Sequence, residues 1–315
     1  MTISKFLNPK NDIAFKHIFG SEKHKDILIH FINDIMQLYD DKQIVHVTFL
    51  SPIQDPDISS KKQSIVDVLC VDKNGVQIIV EMQVSPTKGF EKRAQYYAAK
   101  AYIRQLNKGK ADNATYHNLK EIIFIAISDC IVFPDKSEYI SHHVILDKLD
   151  HKQYLKDFSF SFIELPKFHI SNIQNLNTII EKWCYFFIHA ASTTEDELQT
   201  IVGTDTVIAQ AYAALNQFNW TEQELLLYEE EQKRVMDNKA ADDYIKDIAQ
   251  AQGEAIGLVK GEAIGIAKGE AELNKKLHAI ATTLLTQGIS IEIIMMSTGL
   301  SREAIEVINS NLFPP

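Results

Sequence analysis

Apolar positions near the start of the chain recur at helical intervals. Asn11 or Asp12 is suited to cap a short helix running through Phe19 and closed by Gly20. Ile27, Leu28, Phe31, Ile32, Ile35 and Leu38 lie three and four apart, which predicts an amphipathic helix over residues 25–39. The period then shortens to that of strands. Residues 44–50 read as one strand, stopped by Ser51 and Pro52. Residues 64–72 and 76–84 are β-rich runs on either side of Lys73, Asn74 and Gly75, and Asn-Gly between such runs is a hairpin signal because its turn needs positive φ. A helix over 89–107 follows, then a buried strand over 121–128 and two more over 142–146 and 158–165. This order predicts a mixed α/β domain ending near Lys167.

Beyond residue 168 the pattern turns helical, over 172–190, 204–218 and a long polar stretch, 221–252. Gly253, Gly257, Gly261, Gly265 and Gly269 then punctuate an eight-residue repeat. Each glycine costs an isolated helix about 1 kcal/mol relative to alanine, but also lets two backbones approach closely. A helix over 273–287 and two short helices around Thr298, Gly299 and Leu300 close the chain and resemble a helix-turn-helix. The expected division is 1–168, 169–252 and 253–315. Ile256, Leu258, Ile264 and Ile266, half exposed on a lone helix, predict self-association of the last segment into a homo-oligomer, most simply a dimer.

Composition narrows the class. The chain has 315 residues, 45% hydrophobic and 23% charged, ordinary for a folded soluble protein. Lys5, Asn8, Pro9, Lys10 and Asp12 break up the N-terminus, so it reads as neither a secretory nor a transit signal. No apolar run approaches the roughly 20 residues that span a bilayer. Cys70, Cys130 and Cys184 are widely separated, which argues against a zinc site or disulfide framework and fits a reducing cytoplasm. The net charge of −10 is unfavourable for a nucleic-acid binder, but it is unevenly spread. Residues 1–170 carry 22 Lys and Arg against 21 Asp and Glu; residues 171–315 carry 10 against 21. Residues 88–120 hold eight basic side chains against Glu91 and Asp112 alone. Arg93, Lys100 and Arg104 there, with Tyr96 or Tyr97 between, suit either a solvated helix face or contacts to a nucleic-acid backbone.

The candidate chemistry lies in the hairpin. Glu81 and Gln83 are two apart on one strand and share a face. Folding about Asn74 and Gly75 brings Glu81 beside residues 67–70. If Asp67 shares that face, two carboxylates and an amide converge. Both acids sit inside apolar runs, where a carboxylate is costly unless it is paired or bound to a cation. Mg²⁺, commonly held by one or two carboxylates while keeping several waters, suits such a cluster; a partly exposed hairpin face is the plainer alternative.

The surroundings add a resemblance. Asp67 with Glu81-x-Gln83 resembles the PD-(D/E)XK nuclease core with glutamine in the usual lysine position. The flanking patterns are Asn11-Asp12-x-x-Phe15-Lys16-x-x-Phe19-Gly20, Phe90-x-x-Arg93, Tyr96-Tyr97, Leu106-x-Lys108-Gly109 and Glu164-Leu165-Pro166-Lys167. Together they are similar to the Rpn family of recombination-promoting nucleases, often labelled PD-(D/E)XK family transposases, over roughly residues 8–168. The resemblance implies a restriction-endonuclease-like mixed sheet flanked by helices, followed by an all-helical C-terminal region. It implies a divalent-metal-dependent DNA endonuclease, with Asp67 and Glu81 as ligands for Mg²⁺ or another divalent cation. Gln83 would orient the water, Asp12 would add an acid if it is not simply a cap, and Arg93, Tyr97, Lys100 and Arg104 would meet DNA. Gln83 carries no charge, so it cannot depress the water's pKa as lysine would. The alternative is a catalytically degenerate DNA-binding or protein-interaction module acting through the helical C-terminal half. Against its use of DNA, Arg302 is the lone base of residues 290–309.

Overall fold

The computed structural model describes residues 5–54, 64–106, 115–203 and 205–313. The first helices are α1 (Asp12–Phe19) and α2 (Lys25–Met36), followed by β1 (Val47–Phe49), β2 (Ile53–Gln54), β3 (Ser64–Ile65), β4 (Val68–Asp72) and β5 (Gln77–Gln83). Then come α3 (Phe90–Arg104), β6 (Ile122–Ser128), β7 (Ile140–Val144) and β8 (Phe158–Glu164). The remainder is helical: α4 (Ile179–His189), α5 (Glu195–Val202), α6 (Thr206–Leu215), α7 (Glu222–Thr286), α8 (Ile291–Thr298) and α9 (Arg302–Leu312). The chain divides into two compact units, Met1–Val235 and Met236–Pro315.

Six strands form one mixed sheet in the order β1-β4-β5-β6-β8-β7, and β2 pairs with β3 separately. The central trio β5, β6 and β8 is parallel, with antiparallel neighbours outside it. All seven residues of β6 are buried, as its unbroken apolar run requires of a strand covered on both faces. On one face Cys70, Ile78, Val80, Ile125 and Ile163 share a core with Phe15, Phe31, Trp183, Phe187 and Tyr212. On the other, Leu69, Ile79, Phe124 and Phe162 lie under Ala94, Ala98 and Ala101 of α3. This is the mixed sheet with flanking helices and a long helical C-terminal region that the resemblance implied.

The run 64–72 is not one strand. Its first two residues pair with β2, the chain bends at Val66 and Asp67, and only Val68–Asp72 joins the main sheet. The reason is local: the Asp67 carboxylate accepts the Met82 N–H at 2.8 Å, a side-chain bond just beyond the end of the β4 ladder. At the hairpin, Gly75 alone of the three loop residues takes positive φ (88°), so the turn is not the two-residue form that asks it of Asn74 as well. Asp72 Oδ1 instead accepts from the N–H groups of Asn74 and Val76, each at 2.8 Å.

Three further features have physical causes. Asn11, not Asp12, caps α1, its side chain accepting from Ile13 and Ala14. α5, which sequence periodicity did not separate, starts with a capping box between Thr194 and Glu197. The glycine repeat stays helical within α7, since the Ala, Glu, Ile, Leu and Lys between its glycines favour helix. Every residue over 232–276 is exposed. In the second unit, Ala281 and Leu285 of α7 pack with Ile294 of α8 and Ile305 and Ile308 of α9.

The end of β8 fastens the loop that follows β6. Glu164 is fully buried; its Oε1 accepts the N–H groups of Val132 and Phe133, at 2.6 and 3.0 Å. Lys167 Nζ reaches Glu164 Oε2 and the Phe133 carbonyl, each at 2.7 Å. Lys167→Met should cost about 3–5 kcal/mol in urea unfolding, because it strands a buried carboxylate. Adding Glu164→Gln should recover part of that loss. A single-variant cost below about 1 kcal/mol would show that the pair does not hold this loop.

Candidate active site

Continuing the β4 and β5 register one residue beyond the Val68 and Val80 pair sets Asp67 opposite Glu81. The two side chains meet at the end of the ladder. Asp67 is held by the Met82 N–H, and its Oδ1 lies 3.9 Å from Lys16 Nζ. Glu81 is 6% exposed, the only charged residue of the buried β5 run. Burial, then the Asp67 charge, push the Glu81 carboxyl well above the usual carboxylate range. Burial also raises Asp67, followed by the nearby Asp12 charge; the Met82 N–H and Lys16 oppose the rise. Contact between the two carboxyl side chains raises Glu81 further and lowers Asp67. Glu81 Oε1, buried, has no partner.

Gln83 projects on the same face as Glu81, as expected, but its amide is already engaged. Its Nε2 donates to Thr87 Oγ1 at 2.9 Å and to the Ser85 carbonyl, and its Oε1 accepts from Arg93 Nη2. The Arg93 guanidinium lies 4.9 Å from the centre of the Phe90 ring and 6.0 Å from that of Tyr97. Its charge opposes the rise of Glu81. Burial raises the Tyr97 hydroxyl, Arg93 lowers it, and Glu81 and Asp67 raise it further, so Tyr97 belongs to the same electrostatic cluster. Arg93, Tyr97, Lys100 and Arg104 are spaced by four, three and four residues and form one half-buried stripe along α3, beside the buried alanine stripe. Arg104 also donates to the Ile53 carbonyl at 3.4 Å. Lys108 and Gly109 fall outside the described residues.

Asp12 stands in the first turn of α1 and binds Lys16 Nζ at 2.7 Å. Its charge reaches Asp67, but Lys16 stands as counter-ion to both acids. The sequence reading assigned Lys16 no role; its place four residues after Asp12 on a helix was the available signal. Lys10, bonded at 2.8 Å to Asp129 just past β6, was also missed.

Among the described residues, no group of three or more His, Cys, Asp or Glu side chains is arranged to hold an ion. Two carboxylates are nevertheless within the range that suffices for Mg²⁺, which keeps most of its waters. Asp67 and Glu81 fit such an ion on one observation: a buried carboxyl oxygen lacks any partner beside a second carboxylate.

A raised carboxyl pKa makes the ionised form a liability. The native state holds its proton where the unfolded chain has lost it, so this group's contribution to stability falls as pH rises from about 4.5, the ordinary Glu value, toward the raised native value. Without divalent ions, Glu81→Gln should therefore match the wild type in melting temperature near pH 4.5 and exceed it at pH 8. A variant that melts lower than wild type at pH 8 would refute the raised Glu81 carboxyl.

The chain matches the family described as PD-(D/E)XK nuclease family transposase over residues 9–244. No match was found among curated proteins or among solved structures. The family match spans the whole mixed sheet, both acids, α3 and the helices that cover the sheet's other face. The chain belongs to the PD-(D/E)XK nuclease family transposases.

Proposed function

We propose that the protein is a DNA endonuclease that hydrolyses phosphodiester bonds with a divalent cation, Mg²⁺ in the first instance, held by Asp67 and Glu81. The observation that carries this reading is the buried Glu81 carboxyl, set opposite Asp67 and with one oxygen unpartnered. A bound divalent cation would polarise the scissile phosphoryl group and make the attacking water more acidic. Asp67 and Glu81 would hold the ion through their carboxylate oxygens, and Glu81 Oε1 is free of protein partners to do so. Met82 N–H keeps Asp67 oriented throughout. Lys16 is bound more closely to Asp12 than to Asp67, so Asp67 would be open to the ion while Asp12 stands as a third acid nearby.

DNA is the substrate that the family's nuclease name implies. The stripe of Arg93, Tyr97, Lys100 and Arg104 rises about 16 Å along α3, at 1.5 Å per residue, and leads away from the acid pair. It offers cations and a ring to a sugar-phosphate backbone. Residues 1–168 would carry the chemistry. The helices of 169–252 would support it, and 253–315 would join copies into a homo-oligomer, most simply a dimer, through the exposed apolar residues of α7. A recombination-promoting or mobile-element role follows from the Rpn resemblance. The cysteines are unpaired, which suits the cytoplasm, and among the described residues no helix is long and apolar enough to cross a membrane. The reading in which the C-terminal helices bind DNA draws less support, because Arg302 is bonded to Glu292 at 2.9 Å.

Supercoiled plasmid should be nicked in Mg²⁺ and left intact in EDTA. Asp67→Ala and Glu81→Ala should each abolish nicking and keep duplex affinity within about threefold, since neither side chain lies on the α3 stripe. Wild-type nicking by Glu81→Ala, with unchanged Mg²⁺ dependence, would place the chemistry elsewhere. Lys100→Ala with Arg104→Ala should instead weaken duplex binding and lower its salt slope by up to about two, one per lost phosphate contact. An unaltered slope would return both to a solvated surface.

A further inference from the structure

Among the described residues, two buried side-chain polar atoms have no hydrogen-bond partner: Glu81 Oε1 and Arg93 Nε. They differ in kind. One is an acceptor, the other a donor that carries positive charge, and both belong to the cluster at the end of β5. Buried polar groups are rarely left unsatisfied, so each points to something the bound state supplies. For Glu81 that is a cation. For Arg93 Nε it is an oxygen, and one bearing negative charge gives the stronger bond.

The Arg93 side chain is held in place from several sides. Phe90 and Tyr97 lie against the guanidinium, and Gln83 Oε1 takes one Nη2 proton. Gln83 is itself fixed by Thr87 and the Ser85 carbonyl. Both ends of its amide are thus committed to the protein, which leaves it poorly placed to orient a water. It is well placed to aim a guanidinium.

We propose that Arg93 supplies the positive charge that the family's usual lysine would place at position 83, and that Gln83 is the positioning residue that aims it. The proposal rests on the nuclease reading above. In hydrolysis a water oxygen bonds to phosphorus and the bond from phosphorus to the leaving sugar oxygen breaks. The water gives one proton to solvent, and the leaving oxygen takes one from solvent. Negative charge meanwhile builds on the non-bridging phosphoryl oxygens. The Arg93 guanidinium donates to one of them, and its bond strengthens as that charge grows. Arg93 is on this view a catalytic residue, and the lysine's task has moved from β5 to the first turn of α3.

The test is a charge exchange, read as single-turnover plasmid nicking in Mg²⁺ with protein saturating. Duplex affinity is measured in parallel by fluorescence anisotropy in EDTA, and folding by melting temperature. Arg93→Gln should slow nicking about 10²–10³-fold, the usual effect of removing one such donor. Gln83→Met should slow it less, with duplex affinity unchanged, because Arg93 remains but is no longer aimed. Arg93→Gln combined with Gln83→Lys should regain at least tenfold over Arg93→Gln alone, since the charge returns by the usual route. Arg93→Lys, which keeps charge and the stem beside the two rings, should lose less than Arg93→Gln. Arg93→Gln nicking at the wild-type rate once saturated would make Arg93 a binding contact and overturn the proposal. So would a combined variant no faster than Arg93→Gln, or equal losses in Arg93→Lys and Arg93→Gln. A wild type that leaves plasmid intact in Mg²⁺ fails differently: it removes the nuclease reading and this proposal with it.

Discussion

The register of the β4 and β5 hairpin is the constraint on which the rest of this site depends. It sets Asp67 against Glu81 at the end of the ladder, where the strands part and a side chain can replace a backbone bond. A slip of one residue between these strands would leave the two acids on opposite faces, one of them turned into the packed cluster around Phe15, Phe31 and Trp183. Several local features defend the register. Asp72 locks the turn through two backbone N–H groups, Gly75 accepts the positive φ, and β6 pairs along the whole of β5. The parallel trio β5, β6 and β8 is in turn packed on both faces, so the acid pair sits at the end of the most buried part of the sheet.

The two faces of the sheet do different work. One carries the large core, built by α1 and α2 before the sheet and α4 and α6 after it. The other is thinner and lies under α3, whose alanines leave space for its polar stripe to reach the edge of β5. That asymmetry explains how Gln83 and Arg93 meet although ten residues separate them. The crossover from β5 into α3 begins at Gly89, with φ of 82°, and this brings Arg93 back over the strand it has just left. A burial pattern that looks like tight packing therefore doubles as a device for bringing charge to carboxylates.

Beyond the first unit the organisation is looser. α7 leaves its packed start near Tyr228, exposes every residue over 232–276, and packs again at Ala281. A helix without tertiary contacts is marginal in water, and five glycines make it more so. The loop clamp formed by Glu164 and Lys167 is the opposite case. It is a fully buried charged group with every oxygen partnered, fixing the turn beside the site.

Much of this was legible in the chain itself. Alternation and helical spacing locate α1 to α3, the hairpin and β6, because those periods follow from backbone geometry and from which side meets water. Glu81 and Gln83 on one face, and Asp67 near them, follow from a strand period of two and one turn. What sequence could not decide were contacts set by chain segments far apart or by bends. The break at Asp67, the cap falling to Asn11 and not Asp12, and the start of α5 depend on particular hydrogen bonds. Lys16 between two acids and the clamp on the Val132 loop depend on which elements the core brings together. The partners of Gln83 are the clearest instance. Its sequence position suggested a water-orienting amide, yet an amide acts through whatever occupies its two ends. Those partners, Thr87, Ser85 and Arg93, are fixed only when the loop after β5 folds back and α3 packs on the sheet.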